Sequence, residues 1–259
     1  MTQKIVVNKH YQTTQNEIEL IINNFNSITD YIAKGTRNSI KKTTLKSGKI
    51  ITIKSFKIPN IVNKFVYRFF RQSKAERSYE YAKKLIELGF LTPYPIAFVE
   101  NKSAVSFKES YYFCELVEAD LTYRELVEVP TWENREEIIK QFTKFTFDLH
   151  EAGIEFLDHS PGNTLIKQIG DNQYEFYLVD LNRMNFHHSM NFETRMKNFS
   201  RLTPQKEMIE IMGREYAKLI HKPEQVVIEA MWDKTQEFQT KFQTKQERKK
   251  KLKAFIGKK

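Results

Sequence analysis

The chain has 259 residues, 40% of them hydrophobic and 13% aromatic, which is enough to bury a sizeable core and excludes a disordered polymer. Its formal net charge is +10, but eight Lys or Arg and one Glu fall between Lys245 and Lys259, and this local +7 leaves the body at about +3. The basicity therefore belongs mostly to a tail, and nucleic-acid binding is not expected of the fold. A single cysteine, Cys114, excludes an internal disulfide framework and suits a reducing compartment; in the run YYFCELV it reads as a buried structural thiol. No apolar run of roughly 18 residues is present and the N-terminus has no long apolar core, so a cytoplasmic protein is expected, with at most a peripheral attachment to a membrane.

Residues 1–26 are polar and show no clear period. From Tyr31 to Phe56 the pattern is strand-like, with Gly35 and Gly48 as turns, and KIITIKSF alternates with many β-branched residues. Ser73-Lys74-Ala75-Glu76 is a capping-box pattern, after which Ala75, Tyr79, Ala82, Leu85 and Ile86 recur at helical spacing until Gly89. Strands are expected over Ile96–Val99 and Tyr111–Leu116. A second helix is expected from about Glu133 to Glu151, with an apolar stripe of Ile138, Phe142, Phe145 and Leu149. His150, in its last turn, reads as a cap at the negative end of the helix dipole. The loop FLDHSPGN follows, then a hairpin formed by TLIKQI, a turn at Gly170-Asp171-Asn172, and YEFYLVD. Beyond Asp180 the chain reads as helical and irregular. The order implies an α+β protein: a small sheet lobe of about residues 27–116, a helical lobe of about 117–240, and a basic tail, 241–259.

Three places carry chemistry. Asp158 and Asn163 stand five apart on the loop between a helix and a strand. A carboxylate there can orient and deprotonate an attacking hydroxyl, and an amide oxygen can ligate Mg²⁺ on ATP phosphates. Alone the pair is also an ordinary turn. Asp180 ends the strand FYLVD, where a second carboxylate can hold Mg²⁺. Asp180-Leu181-Asn182 occupies the place of a kinase D-F-G, with Leu181 for the packing residue and Asn182 for the glycine whose φ is often positive. Lys54, inside a strand, can neutralise the α/β-phosphates if a carboxylate from the following helix steadies it. Glu76 is accounted for by its cap, so Glu80 is the expected partner.

Lys54, Glu80, Asp158, Asn163 and Asp180 follow one another in kinase order. With them the stretches KAERSYEYAKKLIELGFLTPYPIAFVE, FDLHEAGIEFLDHSPGNTLI and YLVDLNRMNF make the chain resemble the lipopolysaccharide core kinases of the Kdo/WaaP type, over about residues 34–190. The resemblance implies a protein-kinase-like bilobal fold. It further implies ATP- and Mg²⁺-dependent phosphorylation of a Kdo or heptose hydroxyl on a lipid A–core precursor. In that reading Asp158 is the base, Asn163 and Asp180 hold magnesium, and Lys54 clamps phosphates. Arg183, in the family's DLNR, helps hold the loop, neutralises a phosphate or forms a structural ion pair. Gly35 and Arg37 would form a glycine-poor phosphate loop. Phe156 and Leu157 replace the histidine and arginine of H-R-D; Ser160 replaces a protein kinase's lysine, and no A-P-E follows Asp180, both against a protein substrate. A different small hydroxyl acceptor, or a binding module without catalysis, remain as alternatives. The tail combines lysines with Leu252, Phe255 and Ile256, a composition suited to an anionic membrane surface or to a solvated end.

Overall fold

The computed structural model describes residues 2–35, 38–56, 72–103 and 107–256, the last five of these by their backbone. The chain divides into two units, Met1–Glu118 with Tyr177–Arg183, and Ala119–Phe176 with Met184–Lys259.

Alternating strands build the first unit. β1 (Thr2–Val7), β2 (Tyr31–Lys34), β3 (Asn38–Thr44), β4 (Ile50–Phe56), β5 (Pro95–Lys102) and β6 (Phe107–Glu115) form a sheet in the order β1-β5-β6-β4-β3-β2, every neighbouring pair antiparallel. On one face Ile51, Ile53, Ala97, Val99 and Phe113 are fully buried with Ile18 and Ile22 of α1 (Gln15–Asn23) and with Phe25. Strand alternation sends Lys54 to the other face. There it stands in register with Tyr112, itself opposite Phe98, whose ring meets Tyr79 of α2 (Lys74–Glu87) with centroids 5.3 Å apart. α2 starts where the Ser73 hydroxyl accepts from the Glu76 amide at 3.0 Å, and the chain turns at Gly89, whose φ is +83°.

The N-terminal residues without a visible pattern belong to this unit. β1 pairs with β5 from Thr2↔Lys102 to Val7↔Ala97, and Lys4 forms an ion pair with Glu76 at 2.8 Å. β1 begins exposed and becomes half-buried only over Ile5–Val7, so its hydrophobic alternation is too short to stand out. Cys114 is buried as expected; burial pushes its thiol up to about 11, and Thr52 Oγ1 lies 3.0 Å from its sulfur.

The second unit is mainly helical: α3 (Tyr123–Glu128), α4 (Arg135–Glu151), α5 (Phe192–Phe199), α6 (Lys206–Leu219) and α7 (Glu224–Ile256). Its short strands are β7 (Leu121–Thr122), β8 (Ile154–Phe156), β9 (Thr164–Gly170), β11 (Met184–Phe186) and all but the last two residues of β10 (Gln173–Leu178), which count with the first unit; they join as β10-β9-β7 and β11-β8. The core gathers Tyr123, Ile138, Phe142, Met212, Tyr216, Val227 and Met231. α7 is one continuous helix into the basic tail, and residues 240–251 are exposed throughout. Among the described residues no helix is long and apolar enough to cross a membrane.

His150 does not act as the helix-end cap its position suggested. It is fully buried, because the α4 face that carries Phe142 and Leu149 also carries His150 into the core. Its Nε2 lies 3.1 Å from the Asn198 side-chain oxygen, an acceptor, so Nε2 holds the proton and Nδ1 accepts from the Tyr216 hydroxyl at 2.8 Å. Burial pushes its pKa down to about 3. His159, packed against Phe142 and Phe156, is also fully buried; burial takes it down to about 4 against the opposing pull of the Asn198 amide. Both rings stay neutral in the folded chain while the unfolded chain takes up protons below about pH 6.5. Stability is therefore complete above that pH and lost progressively as pH falls toward 4. Urea midpoints should drop between pH 7 and pH 5, and imidazole NMR at pH 5 should show both rings uncharged; a protonated His150 at that pH would contradict this arrangement.

Candidate active site

In the first unit, the end of β10 delivers Asp180 to Lys54. The Leu178 amide donates to the Leu91 carbonyl at 3.1 Å, and the Thr92 hydroxyl donates to the Leu178 carbonyl at 2.8 Å. These bonds fix the backbone two residues before the aspartate. Asp180 then turns the chain with φ +60°, and its Oδ1 receives Lys54 Nζ at 2.6 Å and Asn182 Nδ2 at 2.5 Å. The left-handed residue is thus Asp180 and not Asn182, which is absent from the positive-φ residues. An aspartate tolerates this region when its short side chain is held locally, as Asn182 and Lys54 hold it here. Leu181 is buried and Arg183 is exposed.

The carboxylate partner expected from Glu80 comes instead from Asp180. Glu80 is 43% exposed and pairs with Lys83 at 3.6 Å on its own helix. The side of α2 turned inward carries Ala75, Arg77, Ser78, Tyr79, Ala82 and Leu85. Lys54 is 12% exposed, with its ammonium 5.4 Å from the Phe56 ring centroid. Gly35 sits in the turn between β2 and β3, its amide donating to the Asn38 carbonyl at 3.0 Å; a Cβ there would come 3.1 Å from that oxygen. Arg37 lies outside the described residues.

In the second unit the loop between β8 and β9 brings Asp158 and Asn163 together. A 3-10 turn, Pro161–Asn163, closes with the Asn163 amide on the Ser160 carbonyl at 2.9 Å, and Asn163 Nδ2 donates to the Asp158 carbonyl at 2.8 Å. With its nitrogen so engaged, the Asn163 side-chain oxygen is the end left to accept a cation. Two residues not singled out from sequence hold the loop from outside. Asn198, on α5, donates from Nδ2 to the Phe156 carbonyl at 2.9 Å while its oxygen takes the His150 proton. Arg201, just past α5, donates from Nη1 to the Leu157 carbonyl at 2.8 Å and to Asp158 Oδ1 at 2.7 Å. Neither lies in a recognisable motif, and both are about 40 residues from the loop in sequence. Phe156, at the place of a kinase histidine, is fully buried.

Among the described residues no three His, Cys, Asp or Glu cluster so as to hold a metal. Mg²⁺ on a nucleotide takes one or two protein oxygens and completes its shell with phosphates and water. Asp180 and Asn163 supply oxygens of the right kind.

The comparisons with known proteins give the class first. The structure of WaaP in complex with acyl carrier protein matches with a TM-score of 0.62 at 13% identity, covering 93% of this chain and 98% of that one. The protein-kinase-like α+β class read from the sequence stands. The Rio2 kinase of Chaetomium thermophilum, solved as an ADP/Mg²⁺-phosphoaspartate complex, scores 0.48 at 16% identity, covering 83% of this chain and 65% of that one. The chain belongs to the lipopolysaccharide kinase (Kdo/WaaP) family, whose model matches residues 58–222. It is accordingly a phosphotransferase acting on a sugar hydroxyl of the lipopolysaccharide core. No curated protein matches it in sequence.

Two glycines beside the loop separate rigid from yielding neighbours. Gly153 precedes β8 at φ +71°, and a Cβ would come 2.1 Å from the His187 backbone carbonyl oxygen. At Gly162 a Cβ would come 2.6 Å from Arg124 Nη2, the mobile end of a side chain that is 57% exposed. Gly153→Ala should cost about 2–4 kcal/mol, combining left-handed strain with a backbone clash. Gly162→Ala should cost under about 1 kcal/mol by displacing Arg124. Urea unfolding of both variants measures the contrast; equal costs would refute it.

Proposed function

We propose that the chain uses ATP and Mg²⁺ to phosphorylate a Kdo or heptose hydroxyl on the inner core of a lipid A–core precursor. The observation that carries this reading is the Lys54–Asp180 pair at 2.6 Å. A strand lysine and a strand-end carboxylate held at one point are placed to act on one triphosphate, the lysine on its α/β-phosphates and the carboxylate on its metal.

The roles follow from chemistry at stated atoms. Asp158 accepts the proton of the sugar hydroxyl, and its backbone is pinned by Asn163 so that the carboxylate is presented from a closed turn. Asn163 and Asp180 would hold Mg²⁺, which when bound neutralises charge on the phosphates. Lys54, released to the phosphates, replaces one anionic partner by another. Gly35 and Arg37 are assigned to the phosphates in this reading. Asp158→Asn should lower phosphate transfer to purified core glycolipid by at least about 10³-fold without changing the melting temperature by more than a few degrees. Retained transfer would refute Asp158 as the base. Transfer to simple sugars but not to core glycolipid would favour a different acceptor. No nucleotide-induced stabilisation at millimolar ATP would favour the binding-module alternative.

The exposed basic end of α7 supports a second part of the proposal, a cytoplasmic protein attached peripherally to the inner face of an anionic membrane. Acyl carrier protein, seen with WaaP, is a further candidate partner for this chain. The intact chain should sediment with vesicles containing anionic lipid, come off as salt is raised, and stay in solution with neutral vesicles. Deleting residues 241–259 should abolish the binding, and binding that survives this deletion would overturn the tail's role.

A further inference from the structure

Resting on that phosphotransfer reading, we propose that Arg201 is the positioning residue of the reaction, holding the Asp158 carboxylate in the orientation from which it meets the acceptor hydroxyl. An aspartate on a short loop has a rotor of two single bonds, and a base that samples several rotamers is correctly aimed only part of the time. Arg201 removes that freedom. One nitrogen, Nη1, bridges the Leu157 carbonyl and Asp158 Oδ1, so the side chain is tied to the backbone immediately before it. The guanidinium is backed by the ring of Phe238 on α7, 5.6 Å from its carbon to the centroid. It is thus gripped between a helix and the loop.

The rest of the arginine is poorly served by this placement. Its Nε is buried and has no hydrogen-bond partner among the described residues. The ion pair with Asp158 is partly open, at 34% and 18% side-chain exposure, where such pairs contribute little to stability. The loop's own sequence puts Leu157 where H-R-D kinases have an arginine, so the guanidinium reaches this loop from the turn after α5 instead.

The test compares wild type, Arg201→Ala, Arg201→Gln and Asp158→Asn in phosphate transfer from ATP to core glycolipid, with melting temperature measured for each. Arg201→Ala should lose about 10²-fold in kcat while KM for ATP stays within about twofold, the signature of misaimed chemistry and not of lost nucleotide binding. Guanidinium chloride at low millimolar concentration should restore part of that loss in Arg201→Ala and none in Asp158→Asn. A kcat near wild type in Arg201→Ala, or a loss that guanidinium does not relieve, overturns the proposal. If Arg201→Ala does not fold, Arg201→Gln decides: it keeps a donor for the Leu157 carbonyl but not the charge. It should be as impaired in kcat, and wild-type turnover overturns the proposal. A wild type that transfers no phosphate refutes the parent reading, and this one with it; an active wild type beside an active Arg201→Ala refutes the positioning role alone.

Discussion

In the first unit the candidate residues depend on an ion pair that joins the middle of a strand to the end of another. Lys54 is fixed by β4, whose register with β3 and β6 leaves its side chain on the face away from the isoleucine core. Asp180 has no such scaffold of its own. Its position comes from the backbone bonds of Leu178 to Leu91 and Thr92 and from the left-handed turn that follows. A left-handed aspartate is unfavourable by itself, and two donors on one oxygen offset it. The carboxylate therefore owes its place to contacts that also restrict what else it can bind.

In the second unit the loop is held by a polar core instead of by packing alone. Tyr216, His150 and Asn198 form a chain of hydrogen bonds that ends on the Phe156 carbonyl, one residue before the loop leaves β8. Each group is buried, so each bond is made where water cannot replace it, and loss of any member would leave a polar atom unsatisfied. A neutral histidine is the suitable middle member because it donates on one side and accepts on the other. His159 is kept uncharged chiefly by its burial.

Much of this was legible in the sequence because the elements that carry the site are locally encoded. KIITIKSF alternates, Ser73 caps its helix, Gly89 ends it, and the Gly170–Asn172 turn joins two strands as its composition demands. The loop from Asp158 to Asn163 is likewise a closed turn, the plain reading of its composition. What stayed hidden was set by distance along the chain. Glu80 looked suitable for Lys54 by order alone, but which side of α2 turns inward is decided by Tyr79, Ala82 and Leu85, and that leaves Glu80 at the surface. A helix-end position says nothing of what packs upon it, so the burial of His150 has no local signal. Arg201 and Asn198 carry no local signature, since an arginine after a helix is ordinary until its target is known. β1 escaped notice because an edge strand with only one half packed shows half a pattern.

The length of α7 has a consequence of its own. At about 1.5 Å per residue its 33 residues span roughly 50 Å, yet Met231 and Thr235 are the last buried side chains along it among the described residues, and residues 240–251 are exposed throughout. The distal turns thus contribute almost nothing to the folding equilibrium. The length and charge of this arm can therefore be set by what it meets in solution, with little cost to the fold.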